Sequence, residues 1–421
     1  MSRTLFFSVG EPSGDQHAAR LIPALQRHSP DLQLRGFGGP KMRAAGCRLD
    51  LELTQHAVVG LVEVLPKLRQ FFGFADQAEA QFAAGNVDAV LLVDFPGFNW
   101  HIAKRAKKFG IPVYYYCPPQ LWAWGGWRIG KLRRTVDHVL CVLPIEKDYY
   151  DRHGVSCTLV GHPFFDAVAE SKLDTATMRQ LGHDRHSTKR QSKVCAVLPG
   201  SRGGEVEKNW PVMLNSMRRL APENPGIRFV VACHRDRLAV RCREAMRDTD
   251  TKLPIEFYVG RTSEVIEAAR CAMMVSGSVS LEMMARRTPA SVLYRVSRSL
   301  HMIARHMVKL DSITLPNLLA GRRILPEMVS VGGTEPAVDF LYRSVSAMLR
   351  DDFYHRQLLS ELDTLRMTHA RPGASETAAD WLAERLADPD ETARETYLPH
   401  AGGGPIKTFA AEPKPRRRRA A

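Results

Sequence analysis

Apolar residues in this chain come in short unbroken runs set between segments of helical period. Leu5-Phe6-Phe7-Ser8-Val9, Ala89-Val90-Leu91-Leu92-Val93 and Val194-Cys195-Ala196-Val197-Leu198 are such runs, and each breaks into a turn of small or polar residues. Runs of this length bounded by turn signals predict strands buried on both faces, as in parallel sheets covered by helices. In the first half strands are expected at 5–9, 33–36, 87–93, 111–116, 137–142 and 157–160. The helices between them are expected at 15–27, 41–45, 63–84, 99–109, 127–134 and 145–153. The second half repeats the alternation, with strands at 194–198, 227–232, 255–259, 271–275 and 289–293. Helices are expected there at 206–220, 235–248, 262–269, 278–287 and 297–309, and three more close the chain at 335–350, 352–368 and 373–387.

The alternation predicts an α/β chain of two Rossmann-like parallel-sheet domains facing a cleft. Both halves open alike. Leu5–Val9 breaks into Gly10-Glu11-Pro12-Ser13-Gly14-Asp15, and Val194–Leu198 breaks into Pro199-Gly200-Ser201-Arg202-Gly203-Gly204, each feeding a helix. A strand that ends in such a turn brings backbone amides to the carboxyl edge of its sheet, where open α/β sheets bind anionic ligands. The polar segment 182–193 reads as the loop between domains. The expected divisions are 1–165, 166–345, 346–387 as closing helices, and 388–421 as a disordered basic tail.

Composition narrows the function. The 421 residues are 44% hydrophobic, enough for two cores. No run reaches the ~18–20 apolar residues of a spanning helix, and Met1-Ser2-Arg3 leads into a strand with no secretory h-region, which predicts a cytoplasmic protein. The eight cysteines are scattered without a CxxC, so reduced structural thiols are expected. The fifteen histidines form no metal-ligand spacing, and no protein-built metal site or cofactor is expected. The net charge is +14; residues 407–421 carry six cations against Glu412, which leaves the body at about +9. A basic body suits phosphates: a sugar nucleotide, an anionic membrane surface or nucleic acid. No nucleic-acid-binding motif accompanies it.

The turns carry candidate chemistry, each beside a plainer reading. Gly10–Asp15 lacks the GxGxxG and Walker patterns, which argues against dinucleotide and P-loop sites. It offers Glu11 and Ser13 at the strand tip, with Asp15 as an N-cap, or it is a simple strand-to-helix turn. Asp94, at the end of the most apolar strand, sits where a general base would stand; alternatively it caps a helix, a role Asn99 also suits. Trp122, Trp124 and Trp127 make either a cleft wall or core, and Arg128, Lys131, Arg133 and Arg134 give the next helix a basic face. In 198–205 (LPGSRGGE), Gly200 and Ser201 allow amides to approach a phosphate and Arg202 supplies a forked cation. Ser276-Gly277-Ser278 repeats the device, with Glu282 one turn into the helix where it can accept from ribose hydroxyls. Asn317 lies in 311–327, which reads as a polar loop. The run 61–74, with Phe71, Phe72 and Phe74, is either a core-packed crossover helix or a hydrophobic contact surface. The stretch 286–309 carries basic residues and no Asp or Glu, which suits an anionic surface or a solvated face.

In order along the chain, GEPSGD, GFGGPKM, GLVEVLPKL, DFPGFN, PPQLWAW, VGHP, LPGSRGGEV, SGSVSLE and LPNLLAG resemble the lipid-A-disaccharide synthase family from about Leu5 to Ala387. Here Gly125-Gly126 interrupts the basic residue that commonly comes after the WAW triplet, and Pro12 stands where Ala is usual. The resemblance implies a GT-B-like glycosyltransferase whose closing helices, 346–387, pack back on the first domain. It implies condensation of UDP-2,3-diacylglucosamine with 2,3-diacylglucosamine 1-phosphate to a β-1,6-linked disaccharide and UDP, by inversion. Asp94 would be the catalytic base, and Glu11 and Ser13 would serve the acceptor. Ser201, Arg202, Ser276, Ser278, Glu282 and Asn317 would line the UDP side. Peripheral attachment to the inner face of the inner membrane is implied by the resemblance, no nucleic-acid partner is, and a homodimer is compatible with it. Two rivals remain: another two-domain UDP-sugar enzyme such as a UDP-GlcNAc 2-epimerase, and a basic nucleic-acid-binding protein.

Overall fold

This computed structural model describes residues 2–56, 68–182, 193–298, 302 and 311–387. The first sheet is assembled by β1 (Thr4–Val9), α1 (Pro12–His28), β2 (Gln33–Phe37), α2 (Pro40–Ala44), β3 (Arg48–Leu51) and α3 (Leu68–Ala83). It continues through β4 (Ala89–Val93), α4 (Pro96–Lys108), β5 (Val113–Tyr116), α5 (Ile129–Thr135), β6 (His138–Cys141), α6 (Pro144–Arg152) and β7 (Cys157–Leu159). Helices α7 (Pro163–Glu170) and α8 (Thr175–Gln180) lead out of it. The second sheet is built from β8 (Val194–Leu198), α9 (Gly203–Glu223), β9 (Arg228–Cys233), α10 (Asp236–Glu244), β10 (Ile255–Val259) and α11 (Thr262–Ala268). It is completed by β11 (Cys271–Val275), α12 (Val279–Ala285), β12 (Ala290–Val296), α13 (Leu315–Ala320) and β13 (Glu327–Val331). The chain then runs through α14 (Glu335–Arg350), α15 (Asp352–His369) and α16 (Ala374–Ala387).

The strand orders are β3-β2-β1-β4-β5-β6-β7 and β10-β9-β8-β11-β12-β13. Every pairing is parallel. Both orders reverse direction beside their first strand, between β1 and β4 and between β8 and β11. Those are the switch points at which open α/β sheets leave a crevice at their carboxyl edge. Central strands are dry: all five residues of β4 and of β8 are buried, as their unbroken apolar sequences require.

The structure adds elements that the pattern did not announce. β3 and β13 are edge strands whose half-exposed residues dilute any apolar run. The segment 311–327, expected as a loop, contains α13, because Pro316 at its first turn fixes a helical φ and Gly321 closes it in the left-handed conformation. Asp15 does not cap α1, which begins at Pro12. It is buried and accepts instead from the backbone N–H of Gly39, Lys41 and Met42, so it caps α2. Residues 183–192 of the expected 182–193 loop, residues 57–67, most of 299–310 and the expected basic tail 388–421 lie outside the described residues.

The two sheets are joined by shared packing. On α7, Phe165 enters a cluster with Leu281, Met284, Ile324, Leu325, Leu362 and Leu365, all of the second half. Leu315 and Leu319 of α13 touch both that cluster and the core beneath α1. The expected return of 346–387 divides in two. α15 stays with the second sheet, where Leu358 joins its core and His355 Nε2 bonds the Arg270 carbonyl. Only α16 crosses, burying Ala378, Ala379, Leu382 and Leu386 with Leu21 and Leu25. The crossing is fixed by buried Asp166, whose carboxylate accepts from the N–H of Gly373 (2.6 Å), Ala374 (3.2 Å) and Ser375 (2.8 Å). Asp166→Ala leaves three donors at the start of α16 without this acceptor and is expected to cost about 1–3 kcal/mol in urea unfolding. Fluorescence of Trp381, which stacks on His138 at 4.2 Å, should report the loss of docking.

Candidate active site at the facing sheet edges

β1 and β4 end side by side at the first switch point, and Asn99 holds the turns that leave them. Its sequence position suggests a helix cap, yet the cap position of α4 belongs to Phe95. Asn99 is buried, and its Nδ2 donates to the carbonyls of Ser8 (3.1 Å), Val93 (3.4 Å) and Asp94 (2.7 Å). Its Oδ1 accepts from Ser8 Oγ at 2.7 Å, and Tyr115 Oη donates to the Asp94 carbonyl at 2.8 Å. These bonds hold Asp94 (φ +49°) and Phe95 (φ +48°) in the left-handed region, which costs a non-glycine residue about 1–3 kcal/mol. Phe95 then lies across Gly10, where a Cβ would stand 2.0 Å from its ring. A side chain at position 10 would therefore displace the turn that carries Asp94.

Asp94 and Ser13 meet, with Ser13 Oγ 3.4 Å from Oδ2. Burial pushes the Asp94 carboxyl up from its ordinary value, opposed by hydrogen bonds from the Phe95 backbone and Ser13. A raised carboxyl is a stronger base once ionised. Glu11 is raised as well, first by burial and then by the Asp94 charge, while Arg202 from the other sheet pulls it down. Glu11 thus feels both lips of the cleft.

On the second lip, Gly200 (φ +134°) lets Glu205 fold beneath the turn, since a Cβ there would stand 2.6 Å from Glu205 Cβ. The Glu205 carboxylate accepts from the N–H of Ser201 (3.0 Å) and Arg202 (3.3 Å). The amides that the sequence offers to a phosphate are therefore occupied by Glu205. The Arg202 guanidinium is 58% exposed, with Glu205 at 3.6 Å, and remains able to turn to a ligand. Ser276 Oγ donates to the Ile313 carbonyl. Glu282 accepts from Arg286 Nε at 2.8 Å. Asn317 is fully buried: it donates to the Leu325 carbonyl and accepts from the N–H of Ile324 and Leu325. Those three side chains brace the second lip from behind in this state.

A cavity of about 450 Å³ opens between the lips. Ser13, Asp94, Gln120, Trp124 and Arg128 line it from the first domain and Ser278 from the second. It also exposes groups that sequence reasoning passed over. Burial holds His17 down at about 4 and His162 at about 3, so both imidazoles are neutral at physiological pH. They meet edge to face, 5.9 Å between centroids. Glu146 is buried and accepts from the N–H of Val142 (2.9 Å) and Leu143 (3.2 Å), with Trp122 Nε1 at 3.5 Å. Glu146 stands three residues after the N-cap Leu143 of a Pro-initiated helix, where an acidic residue in the first turn is the part of this arrangement readable in the sequence; leucine offers no reciprocal side-chain acceptor. The histidines have no such signal, because their burial is purely tertiary. Among the described residues no cluster of side chains suited to a metal ion is present.

Two Rossmann-like parallel sheets, with Asp94 at one switch point and Arg202 beside the other, make a GT-B-type architecture. Solved structures share that architecture. A UDP-GlcNAc 2-epimerase from Neisseria meningitidis bound to UDP-GlcNAc matches with a TM-score of 0.60 at 13% identity, covering 91% of this chain and 99% of that one. Medicago truncatula UGT71G1 complexed with UDP-glucose matches at 0.57 and 14%, covering 92% and 99%. At such identity the likeness fixes the fold alone, and sequence decides among the functions that share it. The chain belongs to the lipid-A-disaccharide synthetase family, whose profile matches residues 5–343. It is 35% identical to the lipid-A-disaccharide synthase of Myxococcus xanthus over 90% of this chain and 96% of the relative. It is 32% identical to lipid-A-disaccharide synthase 1 of Legionella pneumophila subsp. pneumophila over 90% and 97%. The chain is thus a glycosyltransferase of lipid A biosynthesis, and the epimerase rival falls.

Glu146 supplies a test that needs no substrate. Burial pushes its carboxyl up to about 7, against the pull of its backbone and Trp122 bonds. Between about 4.5 and 7 the folded state therefore holds a proton that the unfolded state has released. The stability due to the neutral carboxyl is present below 4.5 and lost as pH rises through 7. Glu146→Gln should abolish this slope. Relative to the variant, wild type should lose on the order of 3 kcal/mol between pH 4.5 and 7 and little above, measured by urea titrations at stepped pH.

Proposed function

We propose that the cleft joins UDP-linked 2,3-diacylglucosamine to 2,3-diacylglucosamine 1-phosphate. The carrying observation is Asp94, held in a strained turn on the wall of a cavity that Ser278 of the other domain also lines. Asp94 takes the proton of the acceptor 6-hydroxyl. The oxygen then attacks the anomeric carbon as the bond to the β-phosphate breaks, and UDP leaves with that bonding pair. With base and leaving group on opposite lips the displacement is single and inverting, which yields the β-1,6 linkage. Glu11 and Ser13 serve the acceptor side. Arg202 answers the charge that grows on the departing diphosphate, the kind of preorganised stabilisation that lowers such barriers most. Ser201 and Ser278 stand on the same lip, and Glu282 meets a ribose by releasing Arg286. Ser276 and Asn317 support the UDP side through the backbone they brace.

With UDP-diacylglucosamine and the acceptor supplied, disaccharide formation is read by mass spectrometry. Asp94→Asn should lower kcat by about 10²–10⁴-fold, the usual contribution of a positioned base. UDP affinity, measured by calorimetry, should be preserved. Near-normal turnover would remove Asp94 from this role.

Acylated substrates reside in a bilayer, and none of the described helices is long and apolar enough to cross one. Peripheral attachment at the cytoplasmic face of the inner membrane is therefore part of the proposed function. The run 61–74 is only partly described. Within it Phe71 packs against Phe74, Phe95 and Phe98 on the core side, whereas Phe72 is 45% exposed. Phe72→Ser should weaken co-sedimentation with anionic vesicles while leaving the thermal midpoint in place. An unchanged vesicle-bound fraction would exclude this ring as a contact.

A further inference from the structure

Resting on the reaction just described, we propose that Arg128 is the subsite for the phosphate monoester of the acceptor, with Lys131 and Lys104 reinforcing the field behind it. The ligand class is a sugar 1-phosphate dianion, held at the end of the cavity away from the diphosphate of the donor.

The charge pattern of the cavity requires such a group. Its wall carries the Asp94 carboxylate, the Glu146 carboxyl, which burial keeps protonated up to about 7, and two imidazoles that burial keeps neutral; Arg128 is the permanent cation among its lining residues. A phosphorylated sugar entering a pocket with the Asp94 carboxylate meets repulsion unless a fixed cation faces the phosphate. C1 and C5, which bears C6, flank the ring oxygen of a pyranose, so a sugar that offers its 6-hydroxyl to Asp94 carries its 1-phosphate across the ring oxygen, where another group on the same wall can meet it. Arg128 and Asp94 are close enough in field that the hydroxyl of Tyr115, bonded to the Asp94 carbonyl, feels both.

The turn before Arg128 is shaped around the guanidinium. Gly125 adopts φ +78°, and a Cβ there would stand 2.4 Å from Arg128 Nη2 and 2.7 Å from Nε. Only a glycine leaves room for the side chain to fold back. It does so over the Trp124 ring, 4.4 Å from the centroid, with Nε and Nη2 at 3.4 and 3.5 Å from the Gly125 and Trp124 carbonyls. These are long bonds, and among the described residues no carboxylate lies within 4.0 Å of the guanidinium. Its fork is thus oriented by an aromatic face yet unneutralised, the state in which arginine recognises phosphate bidentately. Lys131, over Trp100 at 5.3 Å, has its ammonium pushed down by burial, by Lys104 and by Arg128. Like charges gathered without a counter-charge are relieved when a dianion arrives.

The test compares two acceptors that differ only in the 1-phosphate, at saturating UDP-diacylglucosamine, with the full chain. For wild type, kcat/KM should favour the phosphorylated acceptor. Arg128→Gln should cut that preference by about 10–100-fold, the span of one or two charged hydrogen bonds, chiefly through KM of the phosphorylated acceptor. Arg128→Lys should restore part of it, and Gly125→Ala, which displaces the guanidinium, should reproduce the Gln variant. An equal loss on both acceptors in Arg128→Gln, with Lys no better, would overturn the subsite and leave Arg128 as a brace for Trp124. An unchanged preference joined to weaker binding of anionic vesicles would overturn it in favour of a lipid headgroup contact. Wild type inert towards both acceptors would instead defeat the reaction on which the subsite rests.

Discussion

The Asn99 carboxamide is the tie on which the first lip depends. Two strands leave the switch point in register, and their connections then run to opposite faces of the sheet, so the backbone there has no ladder to join. Asn99 supplies the missing partners for both ends at once, from Ser8 on one strand and from Val93 and Asp94 on the other. A buried carboxamide with its donors and acceptor engaged is rigid, and the rigidity is spent on holding Asp94 in a backbone state that it would otherwise leave. The carboxylate is thereby aimed before any substrate arrives, and in the proposed reaction little reorganisation accompanies proton transfer.

The second lip is built differently. Glu205 folds under its own turn and occupies amides that would otherwise wait for a ligand, while Arg202 stays exposed. One lip is locked and the other is braced but adaptable, which suits a site that must release a diphosphate after each turnover. The lips are kept in relation by packing more than by charge. Leu315 and Leu319 are shared between the clusters on either side, and Phe165 of the first half enters the cluster of the second. The electrostatic link from Arg202 to Glu11 acts across solvent and contributes direction more than strength.

Parallel strands buried on both faces announce themselves, because nothing polar is tolerated along them; β4, β8 and β11 were legible for that reason. The edge strands β3 and β13 were not, since an edge needs no unbroken apolar run. Asp94, Glu11, Ser13, Arg202 and Ser278 were legible as positions because strand ends reveal themselves by their turns. The bonds of Asp15, Asn99, Ser276, Glu282 and Asn317 were not, as each depends on a segment remote in sequence or on a competing neighbour. Asp15 finds α2 across some two dozen residues, and nothing local distinguishes it from a cap of its own helix. His17 and His162 became visible only when α1 and the start of α7 were brought together.

The position of α16 has a consequence for the order in which the chain acquires its structure. The apolar face of α1, with Leu21 and Leu25, is covered by Ala378, Ala379 and Leu382, so one wall of the first domain comes from the far end of the described chain. The last strand of the first sheet ends at Leu159, and the ribosome must add roughly two hundred further residues before α16 exists. At about 5–20 residues per second this leaves α1 with an open hydrophobic face for some 10–40 s during synthesis. Throughout that interval the nascent first domain is a substrate for chaperones or for its neighbours on the same message, and the second domain folds while the first still waits for its cover.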